Sequence, residues 1–205
     1  MDIAFVKKYL QENFGFTDEK IDKIHKYLDL LLIFNKKYNL ISKSTEKEVW
    51  NRHILDSAQI IKYIDFKKDH ILSDFGSGAG LPGVILSIAN TNPNFHVKLY
   101  EKSPVKRAFL RDIQKISKFN IEENVYYYNY IETDYIVCRA FKKLDLIFDI
   151  SREKVKNPHK LIILKGKNAL NDLKKLPKDK NYRYKTVDSI TDKDSKIIIA
   201  TKNGK

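Results

Sequence analysis

The sequence has one cysteine, Cys138, and no apolar run near the ~18 residues a membrane-crossing helix needs. A lone cysteine excludes an internal disulfide and a cysteine-based zinc site. Both absences fit a reducing cytoplasm, the expected location. Residues Met1 to Lys8 lack a basic segment followed by a long apolar core, so no signal peptide is expected. Glycine is scarce too. Of seven, four crowd between Gly76 and Gly83. No stretch rich in Pro, Gly or Ser divides the chain, and no internal repeat is visible.

What is abundant is positive charge. The net charge is +13, and Lys142 to Lys205 carries 18 Lys or Arg against 8 Asp or Glu, hence +10 of it. A basic third suits a polyanionic partner, with nucleic acid first in line. A solvated lysine surface with no partner is the plainer reading of the same charge. At 205 residues the chain suits one α/β domain with a small extension, able to bury about 70% of its unfolded surface.

Residues 1–68 read as a helical extension and 69–205 as the main domain. Ile3, Val6, Tyr9 and Leu10 fall at helical spacing. Gly15 and Thr17-Asp18 mark a stop and a new N-cap, followed by a helix to about Tyr38 with Ile21, Ile24, Tyr27, Leu28, Leu31 and Leu32 on one face. Thr45 and Glu48 have capping-box spacing ahead of a helix that turns Val49, Trp50, Ile54, Ala58 and Ile61 inward. With no linker, these helices should pack on the sheet. From His70 the pattern alternates. Strands are expected at 71–75, 96–100, 125–130, 135–138, 161–164, 182–187 and 196–201, and helices at 82–89, 104–118, 141–150 and 168–176. Such alternation predicts a mostly parallel sheet with helices on both faces, its last two strands an antiparallel edge hairpin.

The stretch Ser73-Asp74-Phe75-Gly76-Ser77-Gly78-Ala79-Gly80-Leu81-Pro82-Gly83 reads strand, glycine turn, helix. At the carboxyl end of a first parallel strand, that is where an open α/β sheet binds a ligand. Pro82 suits the first helical position. Leu81 is too large for the tight packing of a dinucleotide fingerprint. Glu101 ends the next strand, where its carboxylate can accept both ribose hydroxyls of an adenosine. The sum resembles the nucleoside site of an S-adenosylmethionine methyltransferase.

Further stretches have no easy explanation as packing: Phe34-Asn35 with Asn39-Leu40 and Ser42, Arg52-His53-Ile54-Leu55-Asp56-Ser57, Cys138-Arg139-Ala140-Phe141, and Leu164-Lys165-Gly166. Together with Asp74 to Gly83, they resemble, in order, the RsmG (GidB) family, whose members methylate N7 of a guanine in 16S ribosomal RNA. The resemblance implies a Rossmann-like class I S-adenosylmethionine methyltransferase with a seven-stranded sheet. It departs from the family pattern at Phe34 for tryptophan, Cys138 for a serine on a pocket wall, and Glu101 for aspartate. The span from Glu132 to Arg139 is short and leaves the register of the preceding turn open.

The resemblance also implies residue roles. Gly76 and Gly78 would let the cofactor lie on bare backbone, and Leu81 would contact it from the helix start. Asp74 would orient the glycine loop or receive the cofactor's amino group. Glu101 would hold the ribose, and Ile131 and Glu132 would flank the adenine. Arg139 would touch cofactor or RNA, and Arg52, His53 and Lys165 would serve RNA, Lys165 at a phosphate. Arg52 and Asp56 pairing with each other is the plainer reading of that pair. For the tyrosines at 126, 127, 128 and 130, core packing is preferred over a base-stacking platform. N7 has a free lone pair, so no catalytic base and no metal are nominated. The expected partner is 16S rRNA or the small subunit, with no membrane and no obligate protein partner. Methylation of another substrate and a non-catalytic RNA-binding module remain the alternatives.

Overall fold

The computed structural model describes residues 1–176 and 180–202. Two helices come first, α1 (Ile3–Phe14) and α2 (Asp18–Tyr38). Gly15 ends α1 in the left-handed conformation, and the Thr17 hydroxyl caps α2 by accepting from the Lys20 N–H. Asn35, buried near the end of α2, closes the following turn. Its Oδ1 accepts from the Ile41 N–H at 2.7 Å, and its amide donates to Glu46. The Phe34-to-Ser42 motif is therefore a structural clasp. Phe34 fills space as expected, its ring 5.2 Å from that of Phe109.

The capping box at Thr45 does not form. Residues Lys43–Glu48 make a 3-10 turn, and the Thr45 hydroxyl donates to the Ser42 carbonyl. The next stretch, Trp50–Leu55, is a π-helix that runs into a short α3 (Asp56–Ala58). Val49, Trp50, Ile54 and Ala58 face inward as the pattern requires, and Ile61 is half-buried. A widened turn of this kind re-aims side chains and is frequent at functional sites.

The sheet strands are β1 (Ile71–Phe75), β2 (His96–Tyr100), β3 (Asn120–Glu122), β4 (Tyr135–Arg139), β5 (His159–Lys165), β6 (Tyr182–Asp188) and β7 (Lys196–Lys202). Their order is β3-β2-β1-β4-β5-β7-β6, parallel through β5, with β7 antiparallel to both β5 and β6. The chain reverses direction in the sheet on either side of β1 and β4, the switch point of the fold. Helices α4 (Gly83–Ala89), α5 (Pro104–Ile113), α6 (Leu144–Lys154) and α7 (Ala169–Lys174) connect the strands.

One expected strand is absent. Val125–Tyr127 form a 3-10 turn, and Asn124 caps it by accepting from the Tyr126 N–H. The reason is the partner strand. Glu122 already lies opposite Tyr100, the last residue of β2, so the chain beyond has no neighbour to pair with. Of the tyrosines at 126, 127, 128 and 130, only Tyr128 stays packed against the core. Tyr126, Tyr127 and Tyr130 are exposed, and the Tyr128 hydroxyl donates to Glu122.

Strand alternation sorts the core into two layers. Leu72, Tyr135, Val137, Ile162, Leu164, Ile197 and Ile199 face α1, α2, α4 and α5. Phe75, Ile136, Cys138, Leu161, Ile163, Ile198 and Ala200 face α6 and α7. Cys138 thus lies in the second layer and not on a pocket wall; burial pushes its thiol well above the usual range. The N-terminal helices share the first layer with the sheet. Tyr27, fully buried on α2, donates its hydroxyl to the Ala79 carbonyl in the glycine loop at 2.9 Å. Burying such a side chain stabilises by about 1.5–3 kcal/mol. Here it also ties the loop to a helix 52 residues upstream.

Candidate active site

Two cavities line the carboxyl edge of the sheet. The smaller, about 270 Å³, lies over β1, β2 and β4 and includes Gly76, Gly78, Glu101, Asn124, Tyr126 and Phe141. The larger, about 530 Å³, lies over β4, β5 and β7 and includes Arg52, His53, Asp56, Arg139, Lys165 and Asp172. Ala140 borders both and holds a left-handed conformation, φ 51°. Its turn delays α6 to Leu144, three residues later than the sequence pattern suggests.

In the smaller cavity Glu101 is 6% exposed. Its Oε2 accepts from the Gly78 N–H at 2.9 Å and its Oε1 from the Ser103 N–H at 2.8 Å. A carboxylate oxygen has two lone pairs, so each keeps one for a ligand. Gly78 takes φ 59°, and an added Cβ would meet nothing closer than the Gly76 carbonyl oxygen at 3.9 Å. That backbone is open. Gly76 differs. An added Cβ there would lie 2.1 Å from the Phe141 ring, so an aromatic wall covers the backbone expected to meet the cofactor. Gly83 is a packing glycine. A Cβ would sit 2.1 Å from Leu99 and 2.8 Å from the Asp74 carboxylate.

Asp74 holds the helical end of the glycine loop by one hydrogen bond. Its Oδ2 accepts from the Gly83 N–H at 2.8 Å, and its Oδ1 is buried without a partner. Burial pushes its carboxyl up to about 7, against the pull of that hydrogen bond and of Arg139. Leu81 is 2% exposed and packs in the first core layer, so it does not line the cavity. Pro82 caps α4 from just outside, with Gly83 as the first helical residue.

Ile131 and Glu132 lie at the wrong end of the sheet for an adenine. Ile131 is buried in the second layer with its N–H on the Lys154 carbonyl. The Asp134 N–H reaches Ile71 at the start of β1, at the sheet's amino edge. Glu132 is exposed there. Asn124 and Tyr126 hold the cavity position instead. The strand expected at 125–130 concealed them, although Asn124 follows Glu122-Glu123 where a strand must end.

The larger cavity draws on distant segments. The Arg139 guanidinium donates to the Arg52 carbonyl at 3.1 Å and to Asp56 Oδ2 at 3.3 Å. Asp56 Oδ1 accepts from the Thr191 hydroxyl at 2.9 Å and the Gln59 amide at 2.8 Å. Arg52 ignores Asp56 and donates to Asp192 at 2.8 Å, 140 residues away. His53 is 8% exposed, with Nε2 2.8 Å from the Thr45 hydroxyl and Nδ1 buried without a partner. Burial, then Arg139 and Arg52, push its pKa down to about 3, so the ring is neutral at pH 7. Lys165 pairs with Asp172 on α7 at 3.1 Å. Asp56 belongs to the Arg52-to-Ser57 motif but was expected only as a partner for Arg52, while Asp172 and the 189–195 turn carried no sequence signal as cavity residues.

Comparison with known proteins decides the family. The family model described as "GidB: rRNA small subunit methyltransferase G" matches residues 20–198. This chain belongs to the GidB family. A relative named ribosomal RNA small subunit methyltransferase G from Rickettsia bellii (strain OSU 85-389) is 38% identical over 182 residues, 88% of this chain and 92% of that protein. One of the same name from Pelagibacter ubique (strain HTCC1062) is 34% identical over 205 residues, covering 97% and 96%. Solved structures share the fold at low identity. The CurJ carbon methyltransferase superposes with TM-score 0.61 at 8% identity, covering 83% of this chain and 61% of that one. A fibrillarin/Nop5p complex chain gives 0.57 at 14%, covering 75% and 82%. As a GidB member, this chain is a methyltransferase enzyme with S-adenosylmethionine as cofactor. The residues present fit that cofactor: a buried carboxylate with spare lone pairs beside open glycine backbone.

Proposed function

We propose that this GidB member transfers the methyl group of S-adenosylmethionine to N7 of a guanine in 16S ribosomal RNA. The observation carrying the reading is Glu101, held by the Gly78 and Ser103 N–H groups at the carboxyl end of β2, within a match spanning residues 20–198. Glu101 would accept the ribose hydroxyls, with Gly78 beneath and Asn124 and Tyr126 at the adenine side. When bound, S-adenosylmethionine supplies the methyl from its sulfonium, the carbon–sulfur bond breaking as the bond to N7 forms. N7 carries its own lone pair, so no side chain has to remove a proton. The protein's part is alignment and exclusion of water, worth about 7–11 kcal/mol when geometry is good.

The guanine would enter the larger cavity, splayed from its stack. Arg52, His53, Arg139 and Lys165 all line that cavity, which supports their proposed service to RNA. Neutral His53 would act there by shape and not by charge. Residues 1–68 serve as a helical extension that clamps the glycine loop through Tyr27, and 69–205 as the methyltransferase domain. Among the described residues no helix is long and apolar enough to cross a membrane. A cytoplasmic location is part of the proposal, and a ribosomal substrate supports it. The test is reverse-transcription mapping of 7-methylguanosine in 16S RNA from cells with and without this protein. After borohydride reduction and aniline cleavage at 7-methylguanosine, a stop that appears only with the protein is the expected result; identical maps would overturn the reading.

A further inference from the structure

We infer that Lys165 and Asp172 together read the Watson–Crick edge of the target guanine, so that the larger cavity selects the base as well as holding it. The inference rests on the guanine reading above. Among the described residues two carboxylates line the cavity, and they differ in what they have left to offer. Asp56 is mostly occupied, with Thr191, Gln59 and Arg139 all donating to it. Asp172 engages Lys165 through Oδ2 at 3.1 Å. Its side chain is 31% exposed and that of Lys165 22%, so both heads are partly sheltered yet reachable from the cavity. An ammonium has three donors, and a carboxylate about four acceptor sites, so the pair keeps free capacity of both kinds.

Guanine presents an acceptor and then donors: O6 next to N7, followed by N1–H and the N2 amino group. A lysine beside an aspartate presents the complement in the same order. Adenine offers a donor at N6 and an acceptor at N1, and would set like against like. With N7 turned toward Ala140, where the two cavities meet, O6 and the adjoining Watson–Crick edge would turn toward β5 and α7, where the pair stands. A lysine already neutralised by a carboxylate is a poor phosphate contact. Exposed Lys167 on the same rim is better suited to that task. A flipped base is generally read at this edge, and a site built to pair with a polar group rejects an analogue that lacks it.

The test is single-turnover methylation of a 16S fragment with guanosine, inosine or 2-aminopurine riboside at the target position. All three keep N7. Inosine lacks only the N2 amino group; 2-aminopurine lacks O6 and N1–H. Wild-type protein should be slower on inosine by about 10- to 100-fold and slower still on 2-aminopurine. Asp172→Asn should erase most of the inosine penalty, and Lys165→Met most of the difference due to O6. Both variants should keep the parent's affinity for S-adenosylhomocysteine. Lys165→Met should leave the slope of log RNA affinity against log salt unchanged; a flatter slope would return this lysine to a phosphate and overturn the inference. Equal wild-type rates on guanosine and inosine would also overturn it, whatever the variants do. No product from guanosine itself would instead sink the reading of the reaction.

Discussion

The two cavities are built in different ways. The smaller is made from neighbours. Gly78 and Glu101 are 23 residues apart, in the loops that follow two adjacent parallel strands, and backbone N–H groups supply the polar contacts. The larger is assembled from strangers. Arg139 meets Asp56 across 83 residues, Asp56 meets Thr191 across 135, and Arg52 meets Asp192 across 140. A site of backbone groups follows wherever the strand and helix go. A site of side-chain ion pairs exists only once the 189–195 turn has docked on the Arg52–Gln59 segment, where Ile190 N–H bonds Gln59. The two should therefore respond separately to substitution.

The largest separation is expected for Glu101→Ala. It removes the ribose acceptor and strands two loop N–H groups, each such bond to a charged acceptor contributing about 1.5–3 kcal/mol. S-adenosylhomocysteine affinity should fall about 100-fold or more by calorimetry, with RNA affinity by filter binding nearly unchanged. Equal losses would mean the cavities are one cooperative unit.

Asp56→Asn is expected to do the reverse. It leaves the Arg139 guanidinium, 18% exposed, without its counter-charge, a change that costs about 3 kcal/mol in partly buried pairs. kcat/KM on RNA should drop at least about tenfold while S-adenosylhomocysteine affinity holds. A variant that loses cofactor binding first would show that Asp56 serves the smaller cavity.

Acid should sharpen the contrast most gently. His53 titrates at about 3 in the fold and near 6.5 unfolded, so the unfolded chain binds more protons between those values. Its contribution is intact above pH 6.5 and is lost as pH falls toward 3. Moving from pH 7 to 5 should reduce the parent's stability relative to His53→Gln by about 2 kcal/mol in urea denaturation. Asp74, raised to about 7, has the opposite sign, but it is present in both proteins and cancels. A margin independent of pH would mean His53 is charged in the folded state.

The strands at 71–75 and 96–100 were readable because a buried parallel strand is a short apolar run, and the glycine cluster located the turn between strand and helix. Glu101 followed from its place at the end of β2. The purposes of the glycines were less readable. Gly83 is required by Leu99 and Asp74, and Gly76 by Phe141, contacts from 9, 16 and 65 positions away that no local pattern encodes. Tyr126 and its neighbours have strand propensity, but propensity cannot supply the missing partner strand beyond Tyr100. Ile131 and Glu132 were placed by resemblance across a shortened segment, and shortening moved them to the opposite edge.

Order along the chain was thus enough to establish the layered sheet, the glycine turn and the carboxylate that serves it, because those depend on spacing within one strand–helix–strand unit. Which acid faces Arg139, which one is left for Lys165, and which ring lies over Gly76 were decided only by folding. An ion pair or a ring contact is chosen by distance in space, and residues more than a hundred positions apart acquire that distance only when the sheet has closed and the last hairpin is in place.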